Sequence, residues 1–286
     1  MRRAAAIVPI VAAAWASAQR RRVRTIPRLP EAAADLDVTV LPIDGASSDR
    51  RPEATCTLVL LGDSLISGVG VETADEALPV QLGRRVASEL GAPLRVRVIA
   101  RTGARLDDVA DTQVPLLAQL AGPVDAVVVS AGANDATHLT APGGHDAAVR
   151  RVVAGIRDAR GEVPVVLCGL PDFRGSRALS PLLRRALHGY GTHLHRRQAR
   201  LADELGVWFV PRDPAVCDAF ARDRALLASD RFHASSAGAA LLAGTATHVV
   251  AGALRSSAPA PPPRASYLDG APGRGRSLAL RARRMR

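Results

Sequence analysis

Four short blocks in this 286-residue chain carry side chains that could do chemistry together. Gly62-Asp63-Ser64-Leu65 holds a serine in good turn chemistry. Arg101-Thr102-Gly103-Ala104 offers an unhindered backbone N–H at Gly103, and Gly132-Ala133-Asn134-Asp135 offers the amide of Asn134. Asp230-Arg231-Phe232-His233 puts a carboxylate three residues before an imidazole. A serine hydroxyl is a weak nucleophile that needs an adjacent base, and the base needs a third group to orient it. One turn of chain can set Asp230 beside His233, and that pair can take the Ser64 proton where the chain brings them together. A developing oxyanion needs donors already in place. The N–H of Ser64, the N–H of Gly103 and the Asn134 amide are the candidates.

The intervening sequence has to bring these blocks to one place. Five short apolar runs, 57–61, 94–99, 125–130, 163–168 and 207–210, are rich in Val and Leu and nearly continuous. Such runs read as strands buried on both faces. Helical patterns occupy 79–90, 106–120, 146–160, 181–205 and 235–254, with Pro79 and Pro181 at positions a first helical turn tolerates. Strand–helix alternation with right-handed crossovers gives a three-layer α/β/α sandwich around a five-stranded, mostly parallel sheet. In such a sheet ligands bind beyond the carboxyl ends of the strands. The blocks at 62, 101 and 131 each follow a strand, and the last precedes the final helix, so one rim collects them.

The four blocks in this order resemble the SGNH hydrolases, also called the GDSL esterase/lipase family. Gly62-Asp63-Ser64-Leu65 matches the nucleophile block, Gly103 the second, Gly132-Ala133-Asn134-Asp135 the GxND block and Asp230-Arg231-Phe232-His233 the DxxH block. The resemblance covers roughly residues 55–254. It implies the flavodoxin-like SGNH hydrolase fold and a metal-free, nucleotide-free Ser–His–Asp mechanism. Ser64 would attack the ester carbonyl, His233 would act as base and then acid, and Asp230 would orient His233. Ser64, Gly103 and Asn134 would form the oxyanion hole. Many members carry Asn before the second-block Gly, where this chain has Arg101-Thr102. The resemblance implies a serine esterase for small or medium acyl esters, lysophospholipids among them. An acyltransferase using the same acyl-enzyme, and a non-catalytic carbohydrate- or lipid-binding domain, are the rivals.

Other residues read as structural. Asp63 and Asp135 are expected to anchor their turns. His193 and His195 read as a solvated face of an Arg-rich helix, His138 and His145 as loop residues and His248 as helix surface. There is no GxxxxGK[ST] phosphate loop, and Ile66 stands where an α/β-hydrolase elbow needs its second glycine. Cys168 reads as a core thiol, and the three cysteines have neither disulfide-framework nor metal spacing. Phe173, Leu179 and Leu139 are candidate acyl-site residues, with the segments 172–181 and 71–78 bordering the pocket.

Composition sets the outer limits. With 48% hydrophobic and 23% charged residues the chain is an ordinary globular protein, and with 3% aromatics it lacks a stacking platform for single-stranded nucleic acid. Of the net charge of +11, +7 falls in residues 1–30 and +7 in 255–286, which leaves −3 for 31–254. The basicity belongs to the tails, so no specific nucleic-acid partner is expected. All 38 basic residues are Arg, which fits a G+C-rich coding sequence. Residues 1–30 combine a short apolar stretch with flanking Arg, which suits a membrane-surface helix; a cleaved signal and a plain extension are alternatives. A cytoplasmic, membrane-associated enzyme is the resulting expectation. Residues 31–54 read as a linker and 255–286 as a disordered Pro/Ala/Arg-rich tail.

Overall fold

The structure is a computed structural model that describes residues 29–43, 54 and 56–256. The expectations for the N-terminal apolar stretch and for the tail from 257 onward lie outside the described residues.

Six strands form one sheet: β1 Asp37–Val40, β2 Cys56–Gly62, β3 Leu94–Ala100, β4 Ala126–Ser130, β5 Val165–Cys168 and β6 Trp208–Val210. Their order is β1-β3-β2-β4-β5-β6, with β1 antiparallel to β3 and every other pairing parallel. The five expected strands are all present; β2, β4 and β5 are buried on both faces, while β3 alternates and β6, at the edge, is half-buried.

The helices are α1 Leu78–Leu90, α2 Leu106–Asp108, α3 Val114–Gln119, α4 Ala133–Thr137, α5 Pro142–Arg160, α6 Pro181–Glu204, α7 Pro214–Arg222 and α8 Ser236–Arg255. A π-turn, Val109–Gln113, joins α2 to α3. Proline sits in the first turn of α5, α6 and α7, where a missing N–H costs nothing. Ser180 caps α6 and Ser235 caps α8. On one face of the sheet α1 and α8 close a core around Leu58, Leu60, Val96 and Val128. On the other face α2, α3, α5 and α6 close a second core around Val59, Leu61, Val127 and Val129. Helix α8 is long and apolar enough to cross a bilayer, yet Ala239, Ala243, Ala246 and Val250 pack it into the first core.

The segment read as a linker is corrected in part. Residues 37–40 form the sixth strand, pairing Asp37 with Arg97 and Val40 with Leu94. The Asp37 carboxylate takes two hydrogen bonds from Arg95, each 2.8 Å. Upstream, the Ala33 N–H bonds Ser67 O at 2.9 Å, tying this segment to the loop after the nucleophile. The domain therefore begins before residue 37.

Parallel register aligns the strand ends. Gly62 pairs with Ala100 on one side and with Ser130 on the other. The chain leaves β2 for β3, then returns across β2 to β4, which makes the mouth of β2 a topological switch point where an open α/β sheet leaves a crevice. Ser64, Gly103 and Asn134 follow those three ends.

Tight packing of α1 on the sheet yields a test. Gly83 to Ala would add about 1 kcal/mol by helix propensity alone. A Cβ at Gly83, however, would lie 2.5 Å from Val96 Cγ2 and 3.1 Å from Val40 Cγ2. We expect overpacking to win, and Gly83→Ala to lower unfolding free energy by about 1–2 kcal/mol in urea titration.

Candidate active site

The nucleophile turn is held from three sides. A Cβ at Gly62 would sit 2.3 Å from Ser130 O, so only glycine lets β2 end this close to β4. Buried Gln113 grips the same residue: Gly62 N–H donates to Gln113 Oε1 and Gln113 Nε2 donates to Gly62 O, both at 2.8 Å. The chain then folds over Asp63, whose O accepts from Ile66 N at 3.1 Å and Ser67 N at 3.0 Å, while its Oδ1 accepts from Leu65 N at 3.2 Å. Ser64 is left half-buried at the crest of the turn. Asp63 anchors the turn, as the sequence suggests.

The base is built in a similar way. Asp230 Oδ1 accepts from Phe232 N at 2.9 Å and from His233 N at 3.0 Å, and its Oδ2 meets His233 Nδ1 at 2.5 Å. The turn requires Arg231 at φ 59°, a left-handed conformation uncommon for a non-glycine residue. The Asp230 side chain is fully buried and that of His233 is 17% exposed. Burial raises the pKa of the Asp230 carboxyl, but the hydrogen bonds from His233 and the two backbone N–H groups outweigh it, so the group lies below its ordinary value. An ionised Asp230 fixes the proton on Nδ1 and leaves Nε2 free to accept one. Gly70, at φ 103°, permits the loop to pass close: a Cβ there would come 3.1 Å from His233 Cβ and 2.5 Å from Ala234 O.

The donor side links the second and third blocks. Gly103 is exposed at φ 82° with open space where a Cβ would stand, so backbone conformation accounts for the glycine. Asn134 Nδ2 donates to Ala104 O at 3.0 Å and lies 3.4 Å from Asp63 Oδ2. The loop after β4 is thereby tied both to the Gly103 loop and to the nucleophile turn. Asp135 continues the tie, accepting from Leu106 N at 3.0 Å, and its burial raises its pKa.

Ser64 and His233 border one cavity of about 200 Å³, whose walls are mostly apolar; Gly103, Asn134 and Asp230 lie outside its lining. Phe173 is in the wall, as are Asp172, Gly175 and Ser176 of the expected 172–181 border. Leu179 is outside the wall and packs behind it in a cluster with Phe173, Leu170 and Leu187, and Leu139 is 52% exposed at φ 56°. Of the 71–78 segment only Leu78 reaches the wall. A second carboxylate–imidazole pair, Asp172 with His188 Nδ1 at 2.8 Å, lies nearby. Its carboxylate is shared with Arg174 Nε at 2.6 Å, and His188 is not in the cavity wall, so this pair shapes the loop. Among the described residues no three His, Cys, Asp or Glu side chains gather as a metal site.

The GDSL-like lipase/acylhydrolase family profile matches residues 60–241. The chain belongs to this family. The GDSL-like esterase Rv1075c of Mycobacterium tuberculosis is 31% identical over 188 residues, 65% of this chain and 59% of that protein's length. Among solved structures, the lipase Lip_vut3 from a goat rumen metagenome superposes with a TM-score of 0.56 at 18% identity, over 70% of this chain and all of that one. TesA superposes with a TM-score of 0.55 at 20% identity, over 69% and 99%. These two likenesses establish the fold.

Several histidines depart from the expected surface positions. His195 is half-buried, its ring tilted against Phe209 with centroids 5.4 Å apart, and burial pushes its pKa down to about 3. His145 lies within α5, wholly buried, with its Nδ1 3.6 Å from Asp146 Oδ1. His193 and His248 are exposed as expected, and exposed His138 caps the short α4. Gln113 carried no sequence signal; a buried glutamine facing a strand end is recognised only once the fold is known.

Two tests follow. Gln113→Leu strips both partners from the Gly62 backbone, and urea titration is expected to give a loss of about 2–4 kcal/mol. For Asp63, burial raises the carboxyl from 3.8 to about 6. The raised value means that the folded state binds this proton more tightly. Its stabilisation is full below pH 3.8 and is lost as pH rises through about 6. Thermal melts from pH 4 to 7 are expected to show a decline in wild type that Asp63→Asn lacks, worth about 3 kcal/mol across the window.

Proposed function

We propose that the protein is a serine esterase that cleaves carboxylic esters of small to medium acyl chains through an acyl-enzyme on Ser64. The observation that carries this reading is the buried Asp230 carboxylate bonded to His233 Nδ1 at 2.5 Å, with His233 and Ser64 on the wall of one apolar cavity. Family membership and the likeness to the GDSL-like esterase of Mycobacterium tuberculosis support it.

In this mechanism His233 Nε2 accepts the Ser64 proton as Oγ adds to the ester carbonyl. The imidazolium is stabilised by Asp230, which stays ionised. The N–H groups of Ser64 and Gly103 and the Asn134 amide are the donors proposed for the oxyanion. Asn134 holds one hydrogen on Ala104 O, and the longer contact to Asp63 is the one it gives up. His233 then returns the proton to the departing alkoxide, and the alcohol leaves. Water, deprotonated by the same imidazole, attacks the acyl-serine and releases the acid and free Ser64. The cavity's apolar wall suits the acyl part, and the alcohol part sits toward solvent.

Ser64→Ala is expected to lower kcat for p-nitrophenyl butyrate by at least about 10³-fold with an unchanged melting temperature. Asp230→Asn is expected to cost about 10⁴-fold through the wrong His233 tautomer. Wild-type turnover in a well-folded Ser64→Ala protein would overturn the proposal.

A further inference from the structure

The cavity beside Ser64 does not end at the rim. Its wall reaches β5 and the two helices α7 and α8, where it includes Cys168, Val216, Cys217, Phe220, Leu242 and Thr245. None of these side chains carries a charge. The charged groups near the mouth are engaged elsewhere: Arg212 donates to Leu170 O, Pro171 O and Gly191 O, and Asp172 is held by Arg174 and His188.

Two features mark this as a built space. Cys168 lies on the same strand face as fully buried Val166, yet it keeps partial accessibility. Cys168 is part of the cavity wall. Helix α7 is amphipathic, with Val216, Cys217 and Phe220 on its inner side, but none of its residues is fully buried. Its apolar face covers the cavity rather than closing onto the core. Phe220 is seated by a glycine: a Cβ at Gly238 would come within 3.0 Å of the Phe220 ring.

We propose that this channel takes the acyl chain of the substrate, with α7 as its cover, and that it selects straight-chain esters of about six to eight carbons. The proposal rests on the esterase reading of Ser64. The volume argues for that length. An apolar cavity of roughly 150 Å³ accommodates benzene, which has six carbons, and this one measures about 200 Å³. An acetyl group would leave most of it empty. Transfer of each further methylene from water into the channel raises kcat/KM roughly fourfold until the space is filled.

The test is a p-nitrophenyl ester series from acetate to dodecanoate. For wild type, kcat/KM is expected to climb to a maximum at hexanoate or octanoate and then fall. Cys217→Trp and Thr245→Phe fill the channel from opposite walls, and each is expected to lower the octanoate-to-acetate ratio at least tenfold. Phe220→Ala enlarges it and is expected to move the maximum to longer chains. Melting curves report whether each variant folds. A wild-type maximum at acetate, or an unchanged ratio in both folded filled variants, would overturn the proposal and leave the esterase reading intact. Ser64→Ala supplies a readout without turnover: octanoate is expected to raise its melting temperature, acetate is not, and the shift should vanish when Cys217→Trp is added. Octanoate binding in a protein whose wild type cleaves no ester would keep the channel and sink the esterase reading. No binding and no turnover would sink both.

Discussion

The site depends on one buried carboxylate. Asp230 has no exposed side-chain surface, and a lone charge there would cost several kcal/mol. It is tolerated because Phe232 N, His233 N and His233 Nδ1 all point at it. All three bonds are local and two come from the backbone, so the turn 230–233 builds its own anion site, with Arg231 in a left-handed conformation. The third bond sets the imidazole. Orientation of the base, its tautomer and the strain of the loop are thus one arrangement seen from three sides.

The rest of the fold brings Ser64 to the cavity that His233 borders. Close approach does most of this work. β2 reaches β4 at Gly62 only because a side chain there would collide with Ser130 O, and the His233 loop passes the nucleophile loop only because Gly70 has no Cβ. Gln113 then fixes the end of β2 with a pair of hydrogen bonds from the opposite face of the sheet. The Asn134 amide joins the second and third blocks. Each contact spans elements far apart in the chain, so the site assembles only when the sheet register is complete.

Much of this could be read from residues alone. Nearly continuous apolar runs declared five of the six strands, and residues just past their ends declared the rim. What escaped reading has physical reasons. Strand β1, Asp-Val-Thr-Val, is a short, half-exposed edge whose charge is neutralised by Arg95 and Arg97, partners far off in sequence. Helix α7 buries no residue fully, because its apolar face looks into a cavity. The pattern at 106–120 spans two short helices joined by a π-turn, and that turn places Gln113 beneath Gly62. His145 reads as a loop residue because Pro142-Gly143-Gly144 precedes it, yet it lies buried in the first turn of α5, and His195 reads as a solvated position because its helix is Arg-rich, yet its ring meets Phe209. Local pattern reveals which residues enter elements, while burial of a polar side chain depends on what the fold sets against it.

The central claim is that Asp230 and His233 make Ser64 a nucleophile. The most direct measurement is intact-mass analysis with peptide mapping after treatment with a fluorophosphonate. The account predicts a single adduct on wild type, located at Ser64 and absent from folded Ser64→Ala and His233→Ala proteins. Labelling of folded wild type at another residue, or undiminished labelling in His233→Ala, would contradict it.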